Sequence, residues 1–312
     1  MPSAAASTAR KPRRHSGDRR TLSDTLRALP WLAPVLLLIV GVVAFPAGVM
    51  IYNSTRKISK SGIDKGNVGF DNFAKIFAMP DLPRVLINTV IWVVVVVACT
   101  IVISLLLAEL LNRAFPGRQL VRLAVVIPWA ASVVMTTTVF YYALEPRLGI
   151  LNKWLYQLGI TESNQVGYTK TATSAFIVAI IIAVFVSLPF TTYTILAGLQ
   201  GVPKDVLEAA QIDGAGPWRT YFSVVLPQLR PAIATSTVIN IINVFNSLPI
   251  LRTITGPVPG NAADTTTTLI FKIIQNDRHI DWASALSVIN FVIVIVVIAI
   301  YIAIVNPMKE VD

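Results

Sequence analysis

Residues 91–108 read IWVVVVVACTIVISLLLA, eighteen residues without a charge. A helix needs about 20 apolar residues to cross roughly 30 Å of hydrocarbon. The run is rich in β-branched side chains, which favour strands in water. A lone strand facing lipid leaves its backbone groups unpaired, so helix is the expected state. Residues 288–305, VINFVIVIVVIAIYIAIV, read the same way. Working outward from these two, apolar stretches recur at 29–52, 86–111, 120–144, 172–200, 229–251 and 283–305. The chain is 54% hydrophobic and 13% charged, about half the charge of a typical soluble domain. This predicts an all-α polytopic membrane protein with six transmembrane helices. The third stretch is interrupted by Thr136, Thr137 and Thr138, and the fifth by Asn240, Asn243 and Asn246. Pro189 predicts a kink in the fourth. Cys99 is the single cysteine and lies in an apolar run, so no intrachain disulfide is available and a small packing role is expected.

Residues 1–28 carry Arg10, Lys11, Arg13, Arg14, Arg19, Arg20 and Arg27 among few large apolar residues. This predicts a disordered basic tail on the cytoplasmic side. A cleaved signal peptide is disfavoured, because the charged region is long and the apolar segment continues past signal length. The net charge of +10 is concentrated partly in this tail, which beside a membrane helix suits anionic lipid rather than nucleic acid. With six spans, both termini are cytoplasmic. Arg113, Arg118 and Arg122 in the short second connection agree with that orientation. The first outer loop, 53–85, opposes it with Arg56, Lys57, Lys60, Lys65, Lys75 and Arg84. The remaining outer loops are 145–171 and 252–282. A membrane domain over 29–307 and a cytoplasmic end over 308–312 complete the expected organisation.

One polar stretch is stranded between apolar ones: residues 208–227, EAAQIDGAGPWRTYFSVVLP. Pro203 suits a first helical turn and residues 204–212 can propagate it. Gly214 or Gly216 supplies a left-handed stop. Pro217 then opens a second helix carrying Trp218, Tyr221, Phe222 and Val225. Val206, Leu207, Ala209 and Ala210 offer contact, the two alanines allowing close approach to a partner, and Glu208 and Asp213 are polar handles. The rival reading is a hairpin lying on lipid, but such a helix is usually Lys/Arg-rich, and this one is acidic.

The spacing of Glu208-Ala209-Ala210, Gly214 and Leu226-Pro227 resembles the EAA loop of permease subunits from binding-protein-dependent ABC importers. The resemblance continues upstream through SLPFTTYTILAGLQGVPKDVLEAA, residues 187–210, and downstream through LPQLRPAI, residues 226–233. LVRLAVVIPWAASVV, residues 120–134, and GNVGFDNFAKIF, residues 66–77, resemble segments of the carbohydrate-uptake, maltose-permease-like branch. Residues 244–267, VFNSLPILRTITGPVPGNAADTTT, depart from that branch, with Asn246-Ser247 where Phe-Asp is usual. The resemblance implies a type I ABC importer permease fold with a coupling loop at 201–228. Its implied coupling residues are Glu208, Ala209, Ala210, Asp213, Gly214, Leu226 and Pro227. It also implies a second homologous permease, two ATP-binding subunits in the cytoplasm, an extracytoplasmic solute-binding protein, and a place in the bacterial inner membrane. ATP and Mg would then belong to the partner subunits, with no cofactor in this chain.

Enzyme chemistry finds little footing. The only histidines are His15 and His279, so there is no HExxH pair, and no G-x-x-x-x-G-K-[ST] P-loop is present. No catalytic or metal-ligating set is expected. Glu109 sits near Asn112 and Arg113 and reads as an interfacial residue rather than a proton relay. Asn240, Asn243 and Ser247 recur at helical spacing, with Asn246 beside them. They should face the bundle interior, where they either line a solute pathway or hydrogen-bond between helices. Thr137, Tyr141, Thr191, Tyr193 and Asn290 are secondary pathway residues. The scarcity of charge in mid-span favours a neutral solute, and the resemblance to carbohydrate-uptake permeases implies a sugar or related polyol. The alternative is a secondary transporter driven by an ion gradient, which would leave the loop at 208–227 unexplained.

Overall fold

The computed structural model describes residues 22–258 and 260–305, and divides the chain into two units, one up to Val49 and one from Met50. The first unit holds helix α1 (Leu22–Leu38), a π-helical turn (Ile39–Ala44) and the start of α2 (Phe45–Ser54). Pro30–Ser54 is long and apolar enough to cross a membrane. Because α1 begins at Leu22, the last seven residues expected in the tail are helical instead. Leu22, Leu26 and Ala28 are good helix formers, and Asp24 falls in the first turn. The rest of the tail and the end at 308–312 lie outside the described residues.

The second unit opens with a hairpin, β1 (Arg56–Ile58) paired antiparallel with β2 (Asp64–Asn67), followed by α3 (Asp71–Phe77). Helix α4 (Leu82–Asn112) runs 31 residues, and α8 (Ala172–Gln200) runs 29. Helix α15 (Ile280–Val305) is the last continuous span. The third and fifth apolar stretches are each broken into two helices. Helices α5 (Arg118–Ala130) and α6 (Val133–Ala143) meet at 100°, and α12 (Arg230–Phe245) and α13 (Leu248–Thr255) at 46°. Among the described residues, four helices therefore qualify as spans, or six if each bent pair counts as one crossing. Short helices α7 (Ile150–Gln157) and α14 (Thr266–Lys272) lie in the later loops.

The first break does not fall at the threonines, whereas the second falls at Asn246, one of the three asparagines that interrupt the fifth stretch. Thr137 and Thr138 donate to the carbonyls of Val133 and Val134 at 2.7 and 2.8 Å, so each is satisfied within its own helix turn and need not break it. The first break lies at Ala131 and Ser132, both extended, just after Pro128. The second lies at Asn246 and Ser247, just ahead of Pro249 in the first turn of α13. Proline lacks the N–H a continuous helix would use there. Pro189 sits inside α8, which runs without a break from Ala172 to Gln200. Cys99 is exposed rather than packed in the core.

Helices α4 and α8 form the central pair of the second unit, joined by Thr192 donating to Ser104 at 3.2 Å. Around them Val96, Ile182, Val244 and Leu251 build the main apolar cluster. A second cluster joins Ile76 to Leu82 and Val85 at the start of α4, with Leu269 and Leu286. A third, at the other end of α4, joins Ala108 and Leu111 to Leu196, Leu199, Val225 and Leu229. Gly198 lets α8 approach the start of α12: an added Cβ would come 2.9 Å from the Ala232 side chain. Trp92, buried, donates from Nε1 to the Val244 carbonyl at 2.8 Å and so ties α4 to α12. Trp92→Phe removes that bond while keeping most of the ring. It should lower the stability of the purified protein by about 1 kcal/mol, read as a fall in thermal midpoint in detergent; an unchanged midpoint would discount the bond.

Candidate functional site

Two places combine exposed polar groups with a built framework. The first is the connection between α8 and α12. Pro203 is extended and immediately precedes α9 (Lys204–Ile212). Three bonds close its far end: Asp213 N–H to Ala209 O, Gly214 N–H to Gln211 O and Ala215 N–H to Ala210 O, each 3.0 Å. Gly214 has φ +72°, the left-handed conformation that a Cβ disfavours. Helix α10 (Pro217–Thr220), a π-helical turn (Tyr221–Val225) and α11 (Leu226–Gln228) then lead into α12. Of the two glycines that could have ended α9, Gly214 does so, while Gly216 is extended.

The hairpin has two faces. Leu207, Tyr221, Val225 and Leu229 pack into the cluster at the end of α4 and α8. Ala210 is buried as well. The structure thus corrects the expectation that both alanines meet a partner: Ala210 belongs to the inward face of α9, and only Ala209 is exposed. Glu208, Asp213 and Gly214 are exposed, and Leu226 and Pro227 are half-buried. Ile212 and Trp218 are 86% and 77% exposed, and Trp218 stacks on Phe222 with centroids 6.0 Å apart. Large apolar groups presented this openly on a short, well-braced hairpin mark a contact surface.

Between this hairpin and the end of α4 lies an open cavity of about 860 Å³, lined by Glu109, Arg113, Gln211, Trp218 and Tyr221 among others. Glu109 accepts from Arg113 at 3.0 Å, one helical turn on, so it is ion-paired at the end of α4. Burial pushes the Tyr221 phenol above its ordinary value, and nearby Glu109 adds to the shift, so the hydroxyl stays protonated at neutral pH.

The second place is a cavity of about 480 Å³ where the two bent pairs approach α8. Asn243, Ser247 and Ser187 supply amide and hydroxyl groups to its lining, Trp129 and Phe190 supply aromatic rings, and among the described residues no Asp, Glu, Lys, Arg or His contributes. Asn243 is exposed into it. Asn240 also touches the lining, but its Nδ2 donates to Thr191 Oγ1 and to the Ser236 carbonyl, both at 2.8 Å. It bridges α12 to α8.

The other residues singled out from sequence lie outside this lining. Thr191 is the acceptor of the Asn240 bond and itself donates to Ser187 O. Thr137 is capped within α6. Tyr141 is edge-on to Tyr142. Tyr193 donates to the Arg122 carbonyl at 3.1 Å, fastening α8 to α5. Asn246 donates to Ile242 O in its own helix. Asn290 accepts from Thr266 at 2.6 Å, joining α15 to α14. Sequence reasoning missed Trp129 and Phe190; the signal available was the pair of prolines beside them, Pro128 and Pro189, at bends or interfaces of the bundle.

A bundle of long apolar helices, with a braced polar hairpin at one end and an uncharged polar cavity among its broken helices, defines an integral-membrane transport subunit. The chain belongs to the family of binding-protein-dependent transport system inner membrane components, which it matches over residues 100–309. It is 34% identical over 281 residues to a "Probable ABC transporter permease protein" of Brucella suis biovar 1, covering 89% of this chain and 96% of the relative. It is 30% identical to the sulfoquinovosyl glycerol transport system permease protein SmoG of Agrobacterium fabrum, covering 91% of this chain and 92% of that one. In fold it is similar to a chain of the bacterial alginate ABC transporter crystallised with its alginate pentasaccharide-bound periplasmic protein, at TM-score 0.80 and 21% identity, covering 93% and 99%. The chain is accordingly a permease subunit of an ABC importer with the type I permease fold.

Proposed function

We propose that this permease carries a neutral sugar or related polyol, and that the cavity between the bent pairs is where the solute passes. The observation that carries the reading is the lining: amide and hydroxyl groups at Asn243, Ser247 and Ser187 beside the rings of Trp129 and Phe190, without an ionisable side chain. Small-molecule sites combine aromatic walls with a few placed polar groups. A sugar ring offers a C–H face to the first and hydroxyls to the second. The relatives support the class, since one is named for sulfoquinovosyl glycerol and a fold neighbour for alginate. The uncharged lining favours a neutral member of that class here.

In this reading the hairpin 201–228 faces the cytoplasm, both termini lie on that side, and a solute-binding protein approaches the opposite end. Glu208, Ala209, Asp213 and Gly214, with the rings of Trp218 and Phe222, present the face on which an ATP-binding subunit seats. Ala210, Leu226 and Pro227 brace it from behind. Nucleotide and Mg belong to two such partner subunits, and a second homologous permease completes the pathway. The coupling step is mechanical: closure of the ATP-binding subunits displaces α9, and the braced hairpin passes that displacement to α12.

The test is uptake by the reconstituted assembly. Labelled neutral oligosaccharide should accumulate in proteoliposomes only when both ATP and the loaded binding protein are supplied. Accumulation driven by a proton or sodium gradient without nucleotide would overturn the reading.

A further inference from the structure

At the end of the bundle opposite the coupling hairpin, α3 is held on one side and bare on the other. Asn72, fully buried, donates from Nδ2 to the carbonyls of Ser54 and Arg56 at 2.9 and 2.8 Å. Ile76, also fully buried, packs with Leu82 and Val85 at the start of α4 and with Leu286 of α15. The Lys75 ammonium sits 5.8 Å from the ring centroid of Trp282 in the first turn of α15. These ties fix α3 beside the N-terminal ends of two helices long and apolar enough to cross a membrane, α4 and α15.

The free side of α3 is apolar. Phe70, Ala74 and Phe77 recur at i, i+4 and i+7, which places them on one face. All three are exposed, Phe70 by 78% and Phe77 by 63%. Directly joined to this element is the hairpin of β1 and β2, with Lys57, Lys60 and Lys65 exposed. Its single anion, Asp64, is already taken by Arg56 at 2.8 Å. Among the described residues these three lysines form no ion pair. The one exposed acid on α3 itself is Asp71 in its first turn.

We propose that α3 and the β-hairpin form an amphipathic foot seated on anionic phospholipid, with Phe70 and Phe77 at the headgroup–acyl boundary and Lys57, Lys60 and Lys65 on the lipid phosphates. An apolar helix face flanked by cations at a membrane surface has this preference. It also accounts for a cationic outer loop that runs against the usual charge bias. The foot is independent of the solute assignment, since none of its residues lines the cavity between the bent pairs.

The experiment uses the full chain in lipid nanodiscs. Cys99→Ala removes the sole native thiol, and a nitroxide is placed at Phe77→Cys or, as reference, at Ser61→Cys in the hairpin turn. Power saturation with oxygen and with a water-soluble nickel chelate then reads depth. In nanodiscs containing phosphatidylglycerol, the label at 77 should be several-fold more accessible to oxygen than to nickel, and the label at 61 the reverse. The depth at 77 should decrease in pure phosphatidylcholine, and Lys57→Gln/Lys60→Gln/Lys65→Gln should abolish that dependence on lipid charge. Equal nickel access at 77 and 61 would overturn the proposal. So would exclusion of both reagents at 77, which would mean that another protein surface covers α3. Equal depth in both lipids would overturn the preference for anionic lipid.

Discussion

Gly214→Val should uncouple transport while leaving the protein folded in the membrane. Gly214 holds φ +72°, and no heavy atom lies within 4 Å of where its Cβ would be. The penalty is therefore backbone strain rather than collision. A left-handed conformation costs an L-residue about 1–2 kcal/mol. If the hairpin keeps its shape only by meeting that cost, the docked geometry loses population by roughly fivefold to thirtyfold. The readout is binding-protein-stimulated ATP hydrolysis and uptake at equal membrane abundance. Gly214→Asn should recover much of the loss, because asparagine enters the left-handed region more readily than valine. Wild-type uptake in the valine variant would remove the coupling role from this turn.

Asn243→Leu should act at the other site. Asn243 is exposed to the cavity, with no side-chain hydrogen bond among the described residues. Leucine would leave solute hydroxyls unpaired in a desolvated site, at about 1–3 kcal/mol. That corresponds to roughly fivefold to more than a hundredfold in solute-dependent ATPase stimulation. The purified complex should assemble normally and melt as wild type does. Asn240→Leu is the counterpart. It loses the Thr191 bond at 2.8 Å and should weaken helix packing by about 0.6–2 kcal/mol, seen as lower stability before any change in selectivity. Equal behaviour of the two variants would mean that neither residue reads the solute.

Much of this architecture was legible in the sequence because lipid imposes a simple rule: a long apolar run must be a helix that pairs its own backbone. Residues 86–111 and 172–200 announced two long helices, and Pro203, Pro217 and a glycine at 214 or 216 announced the hairpin, the prolines by fixing φ and the glycine by tolerating a left-handed turn. What was not legible was which polar residues serve the inside of a helix and which serve a cavity. Asn240 and Asn243 are identical in type and three residues apart, yet one bridges to Thr191 and the other faces open space. Only the rotation of α12 against α8 separates them, and that is a property of packing. Thr137 and Thr138 misled for a related reason: a hydroxyl looks polar in sequence but disappears into the preceding turn's carbonyl. The positions of the two breaks were half-visible, in Pro128 and Pro249, but the size of each bend depends on what the helices rest against.

Helix α12 begins one residue after the coupling hairpin and ends at the break at Asn246. Its 16 residues make a rod of about 24 Å with the hairpin proposed to meet the ATP-binding subunit at one tip and Asn243 near the other. The other bent pair also breaks beside the cavity, with Trp129 two residues from its bend. α4 and α8, unbroken and packed along their length, form a fixed post between them. In the proposed reading a push on the hairpin would arrive at the solute as a change of angle at two pivots, gearing the cavity's shape to the nucleotide cycle through geometry rather than through any chemistry carried along the chain.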